Sequence, residues 1–151
     1  RDDHYEERQA RFQGLSEMTA AQAVGWSMIQ TTALTALVSP ANIYHGLRPV
    51  GTEVPQINYY EGELVRWQGM ENQEFTINCR DKTPALAMAI SRQVTEIFHG
   101  SASTGIYATQ NGFDISRAFL DTAVGLLPET EDNLYNAPVI ITLIYPSSTV
   151  S

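Results

Sequence analysis

The sequence has little of what disulfide formation, membrane insertion or secretion requires. Cys79 is its one cysteine, which excludes a disulfide within this chain and gives no indication of an oxidising compartment. The longest apolar segment covers residues 137–145, well short of the roughly 18 residues that suggest a membrane span. The first residues are charged, unlike the apolar segment of a secretory signal. We therefore expect a chain that is made in the cytoplasm and does not enter a membrane.

Basic residues are also scarce. Nine Lys and Arg residues stand against 17 Asp and Glu, for a net charge of −8, and Lys82 is the single lysine. This balance argues against a surface that grips nucleic acid, because phosphate contacts need clustered positive charge. An acidic wall could instead line a channel through which DNA slides without binding. Solubility alone explains the same charge, so both interpretations stay open.

The sequence has no recognisable arrangement of metal ligands. His4, His45 and His99 are far apart and do not form a metal-binding pair. His99, just before Gly100, has a simpler explanation, since a cation near a helix C-terminus meets partial negative charge. We therefore predict no metal site and no bound cofactor.

Candidates for catalysis each have a structural explanation. Cys79 lies on the apolar side of a predicted strand, which favours a small buried side chain over a nucleophile. Glu61 with Glu63, and the acidic residues at 129–132, could supply paired carboxylates or bind a cation. They lack the Gly and Asn spacing of a calcium loop, and solvated turns are the better interpretation. With no phosphate loop and no Gly-x-Ser-x-Gly motif, we predict no catalytic residue and no enzymatic activity.

Two helices follow from the periodicity. Thr19 to Gln22 fits a capping box, and Pro40 ends the first helix. Its predicted buried stripe is Trp26, Ile29, Ala33 and Leu37. The second helix begins after Thr83 with Pro84 and stops at Gly100. Its predicted buried stripe is Leu86, Ile90, Val94 and Ile97.

Alternating apolar residues predict strands on both sides of the second helix. The clearest is 73–80, where Phe75, Ile77 and Cys79 alternate with polar residues. The pair Asn111-Gly112 predicts a tight hairpin between 105–109 and 113–121. The remaining predicted segments are a short extended piece at 43–44, strands at 56–61, 63–68 and 137–145, and an acidic loop at 122–136.

This order of elements predicts an α+β fold, with a largely antiparallel sheet and both helices packed on one face. We expect three parts: an extended N-terminal arm at 1–15, one domain at 16–146 and a polar tail at 147–151. The arm is charged, and Tyr5 and Phe12 are its large apolar residues. It either contacts a neighbouring molecule through them or is a frayed terminus without a role.

The order and spacing of particular residues resemble the tail terminator, or tail completion, proteins of long-tailed bacteriophages. The resemblance covers about residues 20–146 and depends on order more than on any single motif. The features that carry it are Ala36 to Val38 at the end of the first helix, Ile43-Tyr44, the turn at Arg48-Pro49, Pro55 before Ile57 and Tyr59, the strand from Glu74 to Cys79, the helix from Pro84 to Phe98, and a closing strand that ends in Tyr145.

The resemblance implies a structural virion protein, a component of the tail or neck that is assembled in the host cytoplasm. Such a subunit forms a ring, expected to be hexameric, at the head-proximal end of the tail tube. The ring ends tube polymerisation and joins the tail to the head. Its implied partners are other copies of itself, the tail tube protein and the head-tail connector or stopper protein. DNA passes through its lumen without specific binding.

A ring needs complementary patches on each subunit. Our candidates for subunit contact are Tyr5 and Phe12 in the arm and Val139, Ile141, Leu143 and Tyr145 in the last strand. The last strand is apolar on both faces, which fits either contact with a neighbour or a central strand covered on both sides.

Two alternatives remain open at this point. The chain could be another tail or neck component, such as a tube or connector subunit. It could also be a small cellular ligand-binding module, with Tyr59-Tyr60 and Trp67 forming the pocket. An enzyme is the last of the alternatives, because no residue pattern supports one.

Overall fold

The computed structural model describes residues 19–47, 53–99, 109–110, 113–129 and 133–147. Within these ranges, two longer helices and a seven-stranded sheet form an α+β fold, beside a separate two-stranded ribbon. The predicted fold class is confirmed. The predicted arm, with Tyr5 and Phe12, lies outside the described residues.

The first helix, α1, spans Ala20–Gln30 and begins with the predicted capping box. The Gln22 amide donates to Thr19 Oγ1 at 3.1 Å, and the Thr19 amide donates to Gln22 Oε1 at 3.0 Å. The helix was expected to reach Pro40, but it breaks at Thr31, whose backbone is extended and whose hydroxyl donates to the Ser27 carbonyl at 2.8 Å. A four-residue helix, α2 (Thr32–Thr35), and a 3₁₀ turn (Pro40–Asn42) follow.

The prediction of which face of α1 is buried was wrong. Trp26 and Ile29 are 37% and 41% exposed, and Ala33 beyond the helix is exposed as well. Of the predicted stripe, Leu37 is partly buried and packs against the core. The helix packs on the sheet through small side chains because Tyr59 lies directly against it at Gly25. The buried residues of α1 are Ala20, Ala21, Ala23, Val24, Gly25, Ser27 and Met28.

The strands and the third helix follow in chain order. The third helix, α3, confirms the predicted stripe: Ile90, Val94 and Ile97 are buried, and Leu86 is partly buried. It ends at Phe98 with His99 as its C-cap, and Gly100 lies outside the described residues. The elements are β1 (Ile43–His45), β2 (Gln56–Trp67), β3 (Met70–Asp81), α3 (Pro84–Phe98), β4 (Thr109–Gln110), β5 (Phe113–Asp114), β6 (Arg117–Ala123), β7 (Leu127–Glu129), β8 (Leu134–Asn136) and β9 (Val139–Pro146).

The sheet is built around β3. On one side β3 pairs antiparallel with β2, which pairs in parallel with the short β1. On the other side β3 pairs first with β9 and then, at Arg80 and Asp81, with β8. The outer edge on this side is formed by β6, which pairs with β9, and by β7, which pairs with β8. The sheet is therefore largely antiparallel, as predicted.

Three strand predictions need correction. The segments 56–61 and 63–68 are one strand, β2, with a bulge between Glu61 and Leu64. In the predicted hairpin, β4 and β5 pair antiparallel, residues 105–108 and 111–112 lie outside the described residues, and the predicted strand 113–121 is divided into β5 and β6. The expected loop at 122–136 contains β7 and β8, which are held by contacts from distant parts of the chain that local sequence does not reveal.

One hydrophobic core lies between the helices and the covered face of the sheet. The helices contribute Val24, Met28, Ile90, Val94 and Phe98, all fully buried. Each large apolar side chain buried in this way stabilises the fold by about 1.5–3 kcal/mol. The sheet contributes side chains at alternate positions, namely Ile57 and Tyr59 of β2, Phe75, Ile77 and Cys79 of β3, Ala118 of β6, and Val139, Ile141, Leu143 and Tyr145 of β9.

Candidate interaction surfaces

The four residues of β9 that were predicted to contact a neighbour face this chain's own core. Val139, Ile141 and Leu143 are 0% exposed and Tyr145 is 8% exposed. The helices cover this face of the strand. Because β9 is apolar on both faces, its sequence does not indicate which face the helices cover. A neighbouring molecule that approached β9 would instead meet the opposite face. Tyr5 and Phe12 cannot be placed, since they lie outside the described residues.

The opposite face of the sheet is not covered by any helix of the described chain. Here Ile140, Thr142 and Ile144 of β9 are half-buried. The Thr142 hydroxyl donates to Asp121 Oδ2 at 2.6 Å. On β6, the Arg117 guanidinium carbon lies 5.9 Å from the ring centroid of Phe119. This face mixes apolar side chains with both signs of charge, as protein interaction surfaces commonly do.

The end of the β2–β3 hairpin projects beyond the core. Every residue of β2 from Tyr60 to Trp67 is exposed, in contrast to the buried residues 56–59. The side chains of Leu64, Val65 and Trp67 are 39%, 46% and 69% exposed. The strand β1 pairs with β2 only as far as Tyr59, so no described strand covers the edge of β2 beyond it. Exposed apolar edges of this kind are sites where other chains dock.

Hydrogen bonds hold this hairpin end in a defined shape. The buried Gln73 Nε2 lies 3.0–3.3 Å from the carbonyl oxygens of Gly62, Glu63 and Glu74, and its two N–H groups shared among them fix the bulge of β2. The turn at Gln68 and Gly69 has positive φ at both residues, 51° and 80°, as a tight hairpin turn requires. The projecting surface is therefore preorganised, which lowers the entropy lost on binding.

A polar cluster around Glu71 ties the hairpin to the end of β9. Arg66 Nε donates to Glu71 Oε2 at 2.9 Å, and the Ser147 hydroxyl donates to the same oxygen at 3.1 Å. Burial by itself raises the pKa of Glu71, but the hydrogen bonds from Arg66, Ser147 and Tyr145 and the charge of Arg66 outweigh it. The pKa is lowered overall, so the carboxylate is charged and paired.

A second polar network lies on the uncovered face, at the other end of β3. Arg80 Nε donates to Glu129 Oε1 at 2.8 Å, and Arg80 also donates to Asn58. Asn136 donates from Nδ2 to Asn78 Oδ1 at 2.9 Å and accepts the Cys79 amide at 3.1 Å. These mutual bonds account for the clustering of polar residues here, and they hold β7 and β8 against β3.

Of the side chains considered for catalysis, Cys79 is buried and Glu61 is paired with a neighbouring side chain. Cys79 is fully buried, and burial raises the pKa of its thiol far above the usual range, so it is not a nucleophile. His45 Nε2 lies 2.9 Å from Glu61 Oε1, and the His45 ring stacks on Tyr59 at 5.3 Å. Burial tends to raise the pKa of Glu61, but its hydrogen bonds, first that with His45, lower it overall. Among the described residues, no group of three His, Cys, Asp or Glu side chains could hold a metal ion.

The pocket considered for a ligand-binding module does not form. Tyr59 is buried on the helix side of β2, and its neighbour Tyr60 points to the opposite face. Trp67 is eight residues further along the same strand, about 26 Å away at ~3.3 Å per residue. These three aromatic residues therefore cannot line one pocket.

Comparisons with solved structures give information about the fold. No family model matches the chain, and no curated protein matches it. Among solved structures, the fold is similar to that of a chain in the virion of a native gene transfer agent particle. The TM-score is 0.66 with 13% sequence identity, over 87% of this chain and 98% of that chain. No described helix is long and apolar enough to cross a membrane. What the comparisons establish about this chain is that it has the fold of a chain found in that virion.

Proposed function

We propose that this chain is a structural subunit of a phage-like virion and that it has no enzymatic activity. The observation that carries the proposal is the fold shared with a chain of the gene transfer agent virion over 98% of that chain. The surroundings of Cys79, His45 and Glu129 support the non-enzymatic part of the proposal, since each side chain is buried or held by a structural partner.

We further propose the specific role of a tail terminator. In this role, copies of the chain form a ring, hexameric in our proposal, at the head-proximal end of the tail tube. The ring stops tube growth and joins the tail to the head connector, and DNA passes through it without specific binding. The tail tube protein and the connector or stopper protein are its partners. The order of elements along residues 20–146 supports this role beyond the shared fold.

The projecting end of the β2–β3 hairpin is our candidate for the contact with another virion protein. Its apolar side chains are exposed at Leu64, Val65 and Trp67, and Gln73 holds the strand that carries them. Large aromatic side chains on a rigid support are the usual anchors of protein interfaces.

Tube assembly in the presence of this protein tests the proposed role. We expect electron micrographs of polymerising tail tube protein to show short tubes with an additional ring at one end. The variant Val65→Glu/Trp67→Glu should fail to cap tubes, while Ala85→Glu/Gln93→Glu, which adds the same charge on α3, should still cap them. Tubes that lengthen and contain the protein along their whole length would identify a tube subunit instead and would overturn the terminator role.

A further inference from the structure

The outward face of α1 is uncharged and carries two large apolar side chains, although it lies on the surface of the domain. The exposed positions of the helix are Gln22, Trp26, Ile29 and Gln30, and steps of three and four residues place them on one stripe. Trp26 is 37% exposed and Ile29 is 41% exposed. The opposite side of the helix packs on the sheet, so α1 has large apolar side chains on both sides.

This face also lies in a long segment without charge. From Thr19 to Leu47 the sequence contains no Asp, Glu, Lys or Arg, although the whole chain has 26 such residues, the sum of 9 basic and 17 acidic ones. The other long helix differs, since α3 presents Arg92 and Glu96 to solvent. Helices that stay in water normally carry charges on their outer face. The outer face of α1 therefore has the composition of a covered surface.

The net charge of the chain indicates which partner covers the outer face of α1. The chain has a net charge of −8, so two copies repel each other wherever their acidic surfaces meet within a Debye length, about 8 Å at physiological ionic strength. The repulsion is smallest where the facing surface has no charge. The outer face of α1 is such a surface, and its apolar side chains supply the attraction that association needs.

We propose that the outer face of α1, defined by Gln22, Trp26, Ile29 and Gln30, is a contact surface for a second copy of this chain. The inference rests on the proposed ring, because it identifies one of the two patches through which subunits of the ring meet. The helix is suited to this use because two contacts fix its position in the domain. The capping box fixes its first turn, and the contact of Gly25 with Tyr59 fixes its distance from the sheet.

A charge-insertion variant tests the contact. In Trp26→Glu/Ile29→Glu, we expect the protein concentration for half-assembly of the ring to rise about tenfold or more, as measured by native mass spectrometry and sedimentation, since loss of a central aromatic anchor typically costs at least a factor of ten. The variant Ala85→Glu/Gln93→Glu adds equal charge on α3 and should assemble like the parent. Circular dichroism should show that both variants are folded. Unchanged assembly of the α1 variant would overturn the inference.

A second measurement does not depend on a disruptive variant. The sequence contains two tryptophans, Trp26 and Trp67, and hydroxyl-radical footprinting read by mass spectrometry reports the oxidation of each one separately in the parent protein. We expect oxidation of Trp26 to fall when the ring forms, alone or on tail tubes. Unchanged oxidation of Trp26 in a ring would refute the contact and leave the ring itself standing. A parent protein that forms no ring in either condition would refute the proposed function, and the inference with it.

Discussion

The ring of Tyr59 lies so close to Gly25 that a Cβ atom at position 25 would be 2.3 Å from the Tyr59 hydroxyl oxygen and 3.2 Å from the ring carbon that carries it. Tyr59 is buried, at 7% exposure, so its ring has little room to move. The absence of a side chain at Gly25 therefore sets how closely α1 approaches the sheet.

This contact predicts the effect of Gly25→Ala. In an ordinary helix interior the exchange stabilises by about 1 kcal/mol, because alanine has the higher helix propensity. Here we expect a loss of about 1–3 kcal/mol in the free energy of unfolding, the usual cost of overpacking a core. Urea denaturation followed by circular dichroism measures it.

The matched control removes the other partner of the clash. Tyr59→Phe deletes the hydroxyl, and we expect Gly25→Ala to cost less in that background than in the parent, with the remainder due to the ring carbon. Equal costs in the two backgrounds would show that Tyr59 does not limit the approach of α1.

The lowered pKa of Glu71 predicts a dependence of stability on pH. A carboxyl whose folded pKa lies below its unfolded value, near 4.5, stabilises the fold above that value, and this contribution is lost as pH falls through the folded pKa. We expect Glu71→Gln to lower the free energy of unfolding at neutral pH by about 1–3 kcal/mol and to reduce its change between neutral and acidic pH.

The control for Glu71 lies in the same hairpin. Glu63 is exposed, so Glu63→Gln should change the free energy of unfolding at neutral pH by no more than about 0.5 kcal/mol. Chemical denaturation of both variants over a series of pH values measures the difference. Identical pH profiles for Glu71→Gln and the parent would contradict the assignment of Glu71 as a paired, charged group.

Deletion of the N-terminal arm should weaken assembly more than folding. Residues 1–14 contain only Tyr5 and Phe12 as large apolar side chains, so their deletion removes little that a core could use. We expect the shortened protein to keep its melting temperature within a few degrees, roughly the scatter of neutral changes, and to enter particles less efficiently. Calorimetry and quantification in purified particles test this. Normal incorporation would remove the arm from the candidate contacts.

Local sequence signals predicted several elements correctly because the interactions that form them are local. The reciprocal bonds of Thr19 and Gln22 span three residues, and the cap of α3 at Thr83 spans three as well. In β3, polar residues alternate with Phe75, Ile77 and Cys79, so one face was unambiguously apolar, and all three are buried. The parallel pairing of β1 with β2 was not predicted, because it joins residues 14 positions apart.

What the sequence by itself determined is the presence and type of the main elements and the limits of the helix Pro84–Phe98. What only the tertiary structure decided is which side of an element is covered when both sides are apolar. In α1 the small residues around Gly25 face the sheet and Trp26 faces outward. In β9 the helices cover Ile141 and leave Ile140 on the open face. Periodicity identifies a helix or a strand, but the choice between two apolar faces depends on distant partners such as Tyr59, whose position no local pattern encodes.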